Sequence, residues 1–471
     1  MHEPERTACF AKRKNADGIG AIHAGVDVVP ILTDAQSLLF IVTSRRNDAV
    51  RGKHVDRADF LDFAVFRVTE GTNHHAIVFH LLVVDDEIAV LVMHSNSDYL
   101  TFSPGIELGE RGYSVLCANT EPGTPIFMKL KAVEDALEYL RGLDYVKKVV
   151  LFGHSGGATL MTAYQNAAES GGNNFRGDNM ILKLNERLSP PPPADGVMLV
   201  DPNWGNGAVT LFSLDPAVVT EGDPRHLDPE LDLFNLASGF DPTGSHFSES
   251  FIRKFLKAQG ERNNRLINLA LARLHLIEAG KGLFEDDEPF LVGGGASNFM
   301  NNKLYAQDVR LLSQTRNEHT LLHGDGGRTQ EIIHTVRTPQ NKRSFTANYR
   351  DGLLVTTVRT FLDSHSVRTS ADYYYDANTI YGVDWTGSYC CTTGNVAGIT
   401  VPLLIMGMTN GWEFSSVEGI ADHAASPDKT VAFVEGATHL FCPDRGETRY
   451  GDTLNTTYNF AAEWLEKDGR F

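Results

Sequence analysis

From about residue 60 the apolar positions fall into short runs. Phe63–Val68, Ala76–Val84 and Ile88–Met93 are rich in Val, Ile and Phe, with turn-like breaks at Gly71-Thr72-Asn73 and Asp85-Asp86-Glu87. These runs predict strands, and their close spacing predicts antiparallel pairing at the start of a sheet. Beyond Met93 the spacing lengthens and the period changes. Gly105–Arg111 predicts a helix before a strand at Tyr113–Ala118. Met128–Leu143 carries Leu130, Val133, Ala136, Leu137 and Leu140 at helical spacing. Val149–Phe152 reads as a short buried strand, Gly157–Glu169 as a helix and Gly196–Val200 as a strand. Strand–helix–strand alternation with short links predicts parallel pairing with right-handed crossovers.

The alternation stops near residue 205. Pro190–Pro193 form a stiff link into the strand before it. The span 205–395 contains a long amphipathic stretch, Phe251–Ala279, a Gly-rich loop at Gly293-Gly294-Gly295 and a polar stretch around Arg337–Asn348. It reads as an inserted domain. The sheet pattern resumes at Val401–Met408 and Thr430–Val434. A closing helix, Thr456–Leu465, places Tyr458, Phe460, Ala461, Trp464 and Leu465 on its apolar side. Residues 1–59 are weakly patterned, and Leu38–Val42 is compatible with a helix or a strand.

Composition narrows the function classes. Over 471 residues, 42 Lys+Arg against 60 Asp+Glu give a net charge of −18. That disfavours nucleic acid and anionic lipid as partners. The five cysteines, Cys9, Cys117, Cys390, Cys391 and Cys442, show no CxxC spacing, so reduced thiols are expected. The charged start, Met1-His2-Glu3-Pro4-Glu5-Arg6, lacks the apolar core of a signal peptide, and the longest apolar runs are too short to span a bilayer. The default expectation is a cytoplasmic protein.

The strongest chemical signal is Gly153-His154-Ser155-Gly156-Gly157, a G-x-S-x-G between a buried strand and a helix. The flanking glycines let neighbouring backbone pass a serine held on a tight, strained turn. The helix behind it turns its positive end to the reaction centre, and the Gly156 amide becomes a donor to an oxyanion. Metal and nucleotide motifs are missing: no H-E-x-x-H occurs, His74-His75 falls in a turn, and the glycine triplet lacks the Lys and Ser/Thr of a P-loop. Tyr373-Tyr374-Tyr375 and Trp385 read either as packing aromatics or as the lining of an apolar pocket.

Val149–Leu160 resembles the nucleophile elbow of the α/β-hydrolase superfamily. The resemblance implies a mostly parallel central sheet flanked by helices, here with a core at 60–204 and 396–471 and a large, mainly helical cap at 205–395. It implies the order serine, acid, histidine. Glu435-Gly436-Ala437-Thr438-His439, after the last strand, is similar to the histidine loop, so His439 would be base and then acid. An acid after Val401–Met408 makes Glu413 the favoured candidate, with Glu418 and Asp422 next on that loop. Asp201 is the alternative, because some members carry the acid after the preceding strand. The loop His94-Ser95-Asn96-Ser97-Asp98 resembles the superfamily's His-Gly segment with Ser95 in place of glycine. It would supply the second oxyanion donor from the Asn96 amide, or from that of Ser95.

The implied activity is hydrolysis of a carboxylic ester or lactone of a medium-sized small molecule, with no cofactor. Acyl transfer or C–C bond hydrolysis on the same triad, and a non-catalytic ligand-binding role, are the alternatives. The cap also offers a surface for a homodimer.

Overall fold

The computed structural model describes residues 87–184, 191–295, 303–340 and 352–471, and the backbone of five strands between Asp27 and Leu81. Among the described residues, eleven strands form one sheet. In chain order they are β1 (Arg45–Arg46), β2 (Asp59–Arg67), β3 (His75–Leu81), β4 (Ile88–His94), β5 (Ser114–Asn119), β6 (Lys148–Ser155), β7 (Gly196–Pro202), β8 (Gln314–Leu322), β9 (Arg328–His334), β10 (Leu403–Met408) and β11 (Lys429–Val434). Their order across the sheet is β9-β8-β11-β10-β7-β6-β4-β5-β3-β2-β1. From β5 to β8 every neighbouring pair is parallel. The antiparallel pair β2–β3 at one end is the one the early spacing predicted; the third early run, β4, instead pairs parallel with β5 and β6, while β3 pairs antiparallel with β5, and β8–β9 lies at the other end. Leu38–Val42 resolves as a strand, Ser37–Thr43, paired with Asp27–Thr33.

The longer helices are α1 (Ser103–Gly109), α2 (Ile126–Arg141), α3 (Gly156–Ser170), α4 (Asn206–Ser213), α5 (Glu249–Glu278), α6 (Val358–Ser364), α7 (Ser416–His423) and α8 (Thr453–Leu465). Helices α1, α2, α3, α7 and α8 cover the two faces, and α4, α5 and α6 lie in the 205–395 span. Successive strand residues point to opposite faces. Leu91, Leu151, Leu199 and Ile405 therefore enter one core with α2, α3 and α7. Val90, Val150, Met198 and Leu404 enter the other, with α1 and α8. Burial on both faces explains why these strands read as near-continuous apolar runs rather than alternating ones. In α8 Tyr458, Ala461, Trp464 and Leu465 are buried on the apolar side expected of it, while Phe460, also expected there, is half-buried.

The 205–395 span builds its own apolar cores around α5, whose first turn is capped by the Ser248 side chain. Tyr373 and Tyr375 are buried there with Trp204, Phe212 and Tyr305, and Trp385 packs against them, so these aromatics are core. One part of this span departs from a separate layer: its β8–β9 hairpin extends the central sheet beyond β11. The hairpin escaped sequence reading because β9 is a mostly exposed edge strand of polar residues, which is how edges are kept from pairing further. Cys117, Cys390 and Cys391 are free and buried, whereas Cys442 is disulfide-bonded, against the expectation of reduced thiols. His74 and Pro190, and residues 341–348 of the polar stretch, lie outside the described residues.

Candidate active site

The carboxyl ends of β4, β6 and β7 converge near the middle of the sheet, where crevices open in folds of this type. Ser155 ends β6 with φ 55° and ψ −128°, and α3 starts at the next residue. An L-residue pays for that conformation, so the surrounding packing must hold it. The glycines show how. A Cβ on Gly153 would sit 2.7 Å from the Ala158 Cα, and one on Gly157 would sit 2.5 Å from the Met93 carbonyl oxygen. Only glycine lets strand, turn and helix close this tightly.

Ser155 pairs with Pro202 across the β6–β7 ladder, immediately after Asp201. Asp201 also has a positive φ, 46°, and is fully buried. Its Oδ1 accepts the Met408 amide at 3.1 Å, and its Oδ2 lies 2.5 Å from Nδ1 of His439. The loop after β10 can fold this closely over Asp201 because residue 411 is glycine: a Cβ there would lie 2.9 Å from Oδ2.

His439 is therefore held by Asp201, and Glu413, the acid favoured by sequence, stands second. Its Oε2 is 3.4 Å from Nδ1. The Glu413 side chain is fully buried, and neither oxygen has a hydrogen-bond partner among the described residues. Burial, reinforced by the neighbouring Asp201, pushes its carboxyl up to about 8, although His439 and Lys303 pull the other way. The His439 imidazole is held above its ordinary value: burial opposes the charge, but the Glu413 and Asp201 carboxylates outweigh it. Glu418 lies elsewhere. It accepts the Arg316 and Asn317 amides at 2.8 and 2.9 Å and contacts His319, holding the β8 strand to α7. Burial works against its charge, yet these bonds bring it down to about 2. Asp422 pairs with Arg316 beside it.

His154, inside the motif, has a role that sequence reading missed. Its Nε2 is 2.8 Å from the main-chain carbonyl of His439, and its Nδ1 is 2.6 Å from the Tyr99 hydroxyl. A carbonyl can only accept, so Nε2 carries the proton and Nδ1 accepts from Tyr99. The residue before the serine thus fixes the backbone of the histidine loop. Its ring lies against that of His439, centroids 4.3 Å apart, and Trp412 flanks His439 at 5.2 Å. Donor atoms of His154, Asp201 and His439 fall within 4.8 Å of one another, the spacing of a metal cluster. Both His154 nitrogens and Nδ1 of His439 are already committed to hydrogen bonds, so this donor set does not suit a metal.

The oxyanion expectation needs correction. The Asn96 amide donates to Nδ1 of His94 at 3.0 Å, as does the Ser97 amide at 2.8 Å. A donor spent in this way does not face a substrate. Ser95 is the residue set against Gly156: a Cβ on Gly156 would lie 2.7 Å from its Oγ. The Asn206 side-chain amide donates to that Oγ at 3.2 Å. Lys129, pushed down to about 8 by burial, bonds the Ser95 carbonyl, and reaches Asn96 Oδ1 at 2.7 Å. These supports come from distant elements and carry no local motif.

No family model and no curated protein matches the chain. Among solved structures it is similar to Est1E from Butyrivibrio proteoclasticus, with 11% identity, 86% of this chain and 97% of that one covered, and a TM-score of 0.36. It is similar to a monoacylglycerol lipase of Paleococcus ferrophilus, with 14% identity, 84% and 98% covered, and a TM-score of 0.34. It is also similar to an acetyl xylan esterase from Paenibacillus sp. R4, with 9% identity, 93% and 90% covered, and a TM-score of 0.33. Among the described residues no helix is long and apolar enough to cross a membrane.

Proposed function

We propose that the chain is a serine hydrolase that cleaves a carboxylic ester, or a lactone, through an acyl-enzyme on Ser155. One observation carries the reading. A serine in a strained elbow conformation ends β6, and beside it on β7 stands the carboxylate that holds the histidine of the chain's last loop. Ser155 Oγ attacks the carbonyl carbon while Nε2 of His439 takes its proton. Asp201 keeps the proton of the imidazole on Nδ1, which leaves Nε2 to act as the base, and stabilises the imidazolium. The Gly156 amide, at the start of α3, faces the developing oxyanion, with the Ser95 loop as the second wall. Collapse of the tetrahedral species returns the proton to the leaving alcohol, and water then releases the acid by the same steps.

The test is labelling with a fluorophosphonate probe beside turnover of p-nitrophenyl esters. Stoichiometric labelling that disappears in Ser155→Ala is expected, with a loss of about 10³–10⁶ in turnover. Wild-type protein that neither labels nor turns over any ester in the panel would overturn the reading.

A further inference from the structure

Among the described residues, Glu413 is a buried group beside the triad that the triad does not use. Both carboxyl oxygens of Glu413 are buried without a hydrogen-bond partner among the described residues. Such a group costs stability, and a fold that keeps one has a reason to. Glu413 is also placed on the acid-facing side of the histidine, with Oε2 3.4 Å from the same Nδ1 that meets Asp201 at 2.5 Å. The ionisable groups acting on it are His439, Asp201 and Lys303, and the fully buried Tyr305 feels its charge in turn.

Resting on the serine-hydrolase reading, we propose that Glu413 is a second positioning acid for His439, taking the Nδ1 hydrogen bond whenever Asp201 does not hold it. Two carboxylates sharing one imidazole do not both ionise readily. Burial, with the neighbouring Asp201, makes Glu413 hold its proton more tightly than an ordinary carboxylate. Remove the charge at 201 and its share of the push on the Glu413 carboxyl goes, while that of burial remains. His439 and Lys303 then favour the Glu413 carboxylate, and a small rotation of the imidazole closes the remaining gap. The proton on Nδ1 stays on the histidine throughout, and only its acceptor changes. The two acids come from the ends of neighbouring strands, β7 and β10, so neither displaces the other.

A double-mutant cycle tests this. Removing a triad acid ordinarily costs about 10⁴ in kcat. Here Asp201→Asn is expected to cost only on the order of 10- to 100-fold, and Asp201→Asn with Glu413→Gln the full loss of about 10⁴. Glu413→Gln alone is expected to lower kcat less than tenfold with KM held. Asparagine tolerates the positive φ of residue 201, and Asp201→Ser serves as the second variant. The pH profile of the Asp201→Asn enzyme should show a new acid limb that Glu413→Gln removes. The proposal is overturned if Asp201→Asn is already as inactive as the double variant, or if Glu413→Gln costs the same factor in both backgrounds. Failure of the hydrolase reading is distinguishable, because it leaves the wild-type protein unlabelled by the fluorophosphonate.

Discussion

Asp201 Oδ2 and His439 Nδ1 lie 2.5 Å apart although 238 residues separate them in the chain. This contact ties the end of β7 to the loop after β11, across β10. It also fixes which imidazole nitrogen is available for chemistry. Because His439 is held above its ordinary value of 6.5 by the two carboxylates, it should gain its proton earlier than a free histidine as pH falls.

The first expected outcome concerns pH. A general base works only when unprotonated, so kcat/KM should rise with pH through the His439 value, with its acid limb centred above 6.5. Stability should move the other way. A raised folded-state value contributes stability that is complete below 6.5 and is lost as pH rises through that value. Rate profiles and urea denaturation across the same pH range check both. An acid limb centred below pH 6 would argue against His439 as the base.

The glycines of the elbow make a second case. Gly157→Ala places a Cβ 2.5 Å from the Met93 carbonyl oxygen, which is backbone and cannot swing aside. Overpacking of this kind should cost about 2 kcal/mol in unfolding free energy. Activity should fall further than stability, because α3 and the end of β4 carry Gly156 and the Ser95 loop. Gly419→Ala is the contrast. It lies within α7 with nothing within 4 Å of the new Cβ. It should stabilise the fold by roughly 0.5–1 kcal/mol through helix propensity.

Ser155 itself should show stability exchanged for function. Its φ of 55° and ψ of −128° suit glycine better than any L-residue. Ser155→Gly should therefore be more stable than Ser155→Ala by about 1 kcal/mol, although neither turns over ester. Thermal melts of the two inactive variants measure the strain stored at the elbow. Equal melting temperatures would mean that the turn is not strained.

The parallel core was legible because burial on both faces writes itself as apolar runs, so Val149–Phe152 and Val401–Met408 marked β6 and β10. Ser155 and His439 could be proposed from sequence because each sits at a fixed place relative to a strand. The acid was not. Glu413 and Asp201 both follow strands, and nothing local says which carboxylate reaches Nδ1. That choice depends on Gly411, which lets the loop close over Asp201. The Asn96 amide was misjudged for a similar reason: its engagement with the His94 ring is a turn contact that residue types alone do not reveal. The β8–β9 hairpin was hidden by its polar edge, and the roles of His154 and Lys129 are long-range contacts without periodicity.

A last expectation joins stability to the site. Helix α2 begins after Pro125, which offers no side-chain cap, so its first amides need acceptors from elsewhere. Asp363, on α6 in the 205–395 span, supplies them. Its buried carboxylate accepts the Ile126 amide, and the Phe127 amide at 3.4 Å, and is held by the Ser364 and Tyr389 hydroxyls at 2.6 and 2.5 Å. Burial pushes this carboxyl up, and the hydrogen bonds and the helix dipole work against that by favouring its charged form. Asp363→Ala should therefore lower the unfolding free energy by roughly 3 kcal/mol, and Asp363→Asn, which keeps an acceptor, by less. The loss should reach the active site through Lys129 in the first turns of α2, whose ammonium holds Ser95 and Asn96. At temperatures where Asp363→Asn remains folded, its kcat should still fall, while Lys129→Met should reproduce that fall with a smaller loss of stability. An Asp363→Asn enzyme with unchanged kcat would show that α2 stabilises the fold without steering the Ser95 loop.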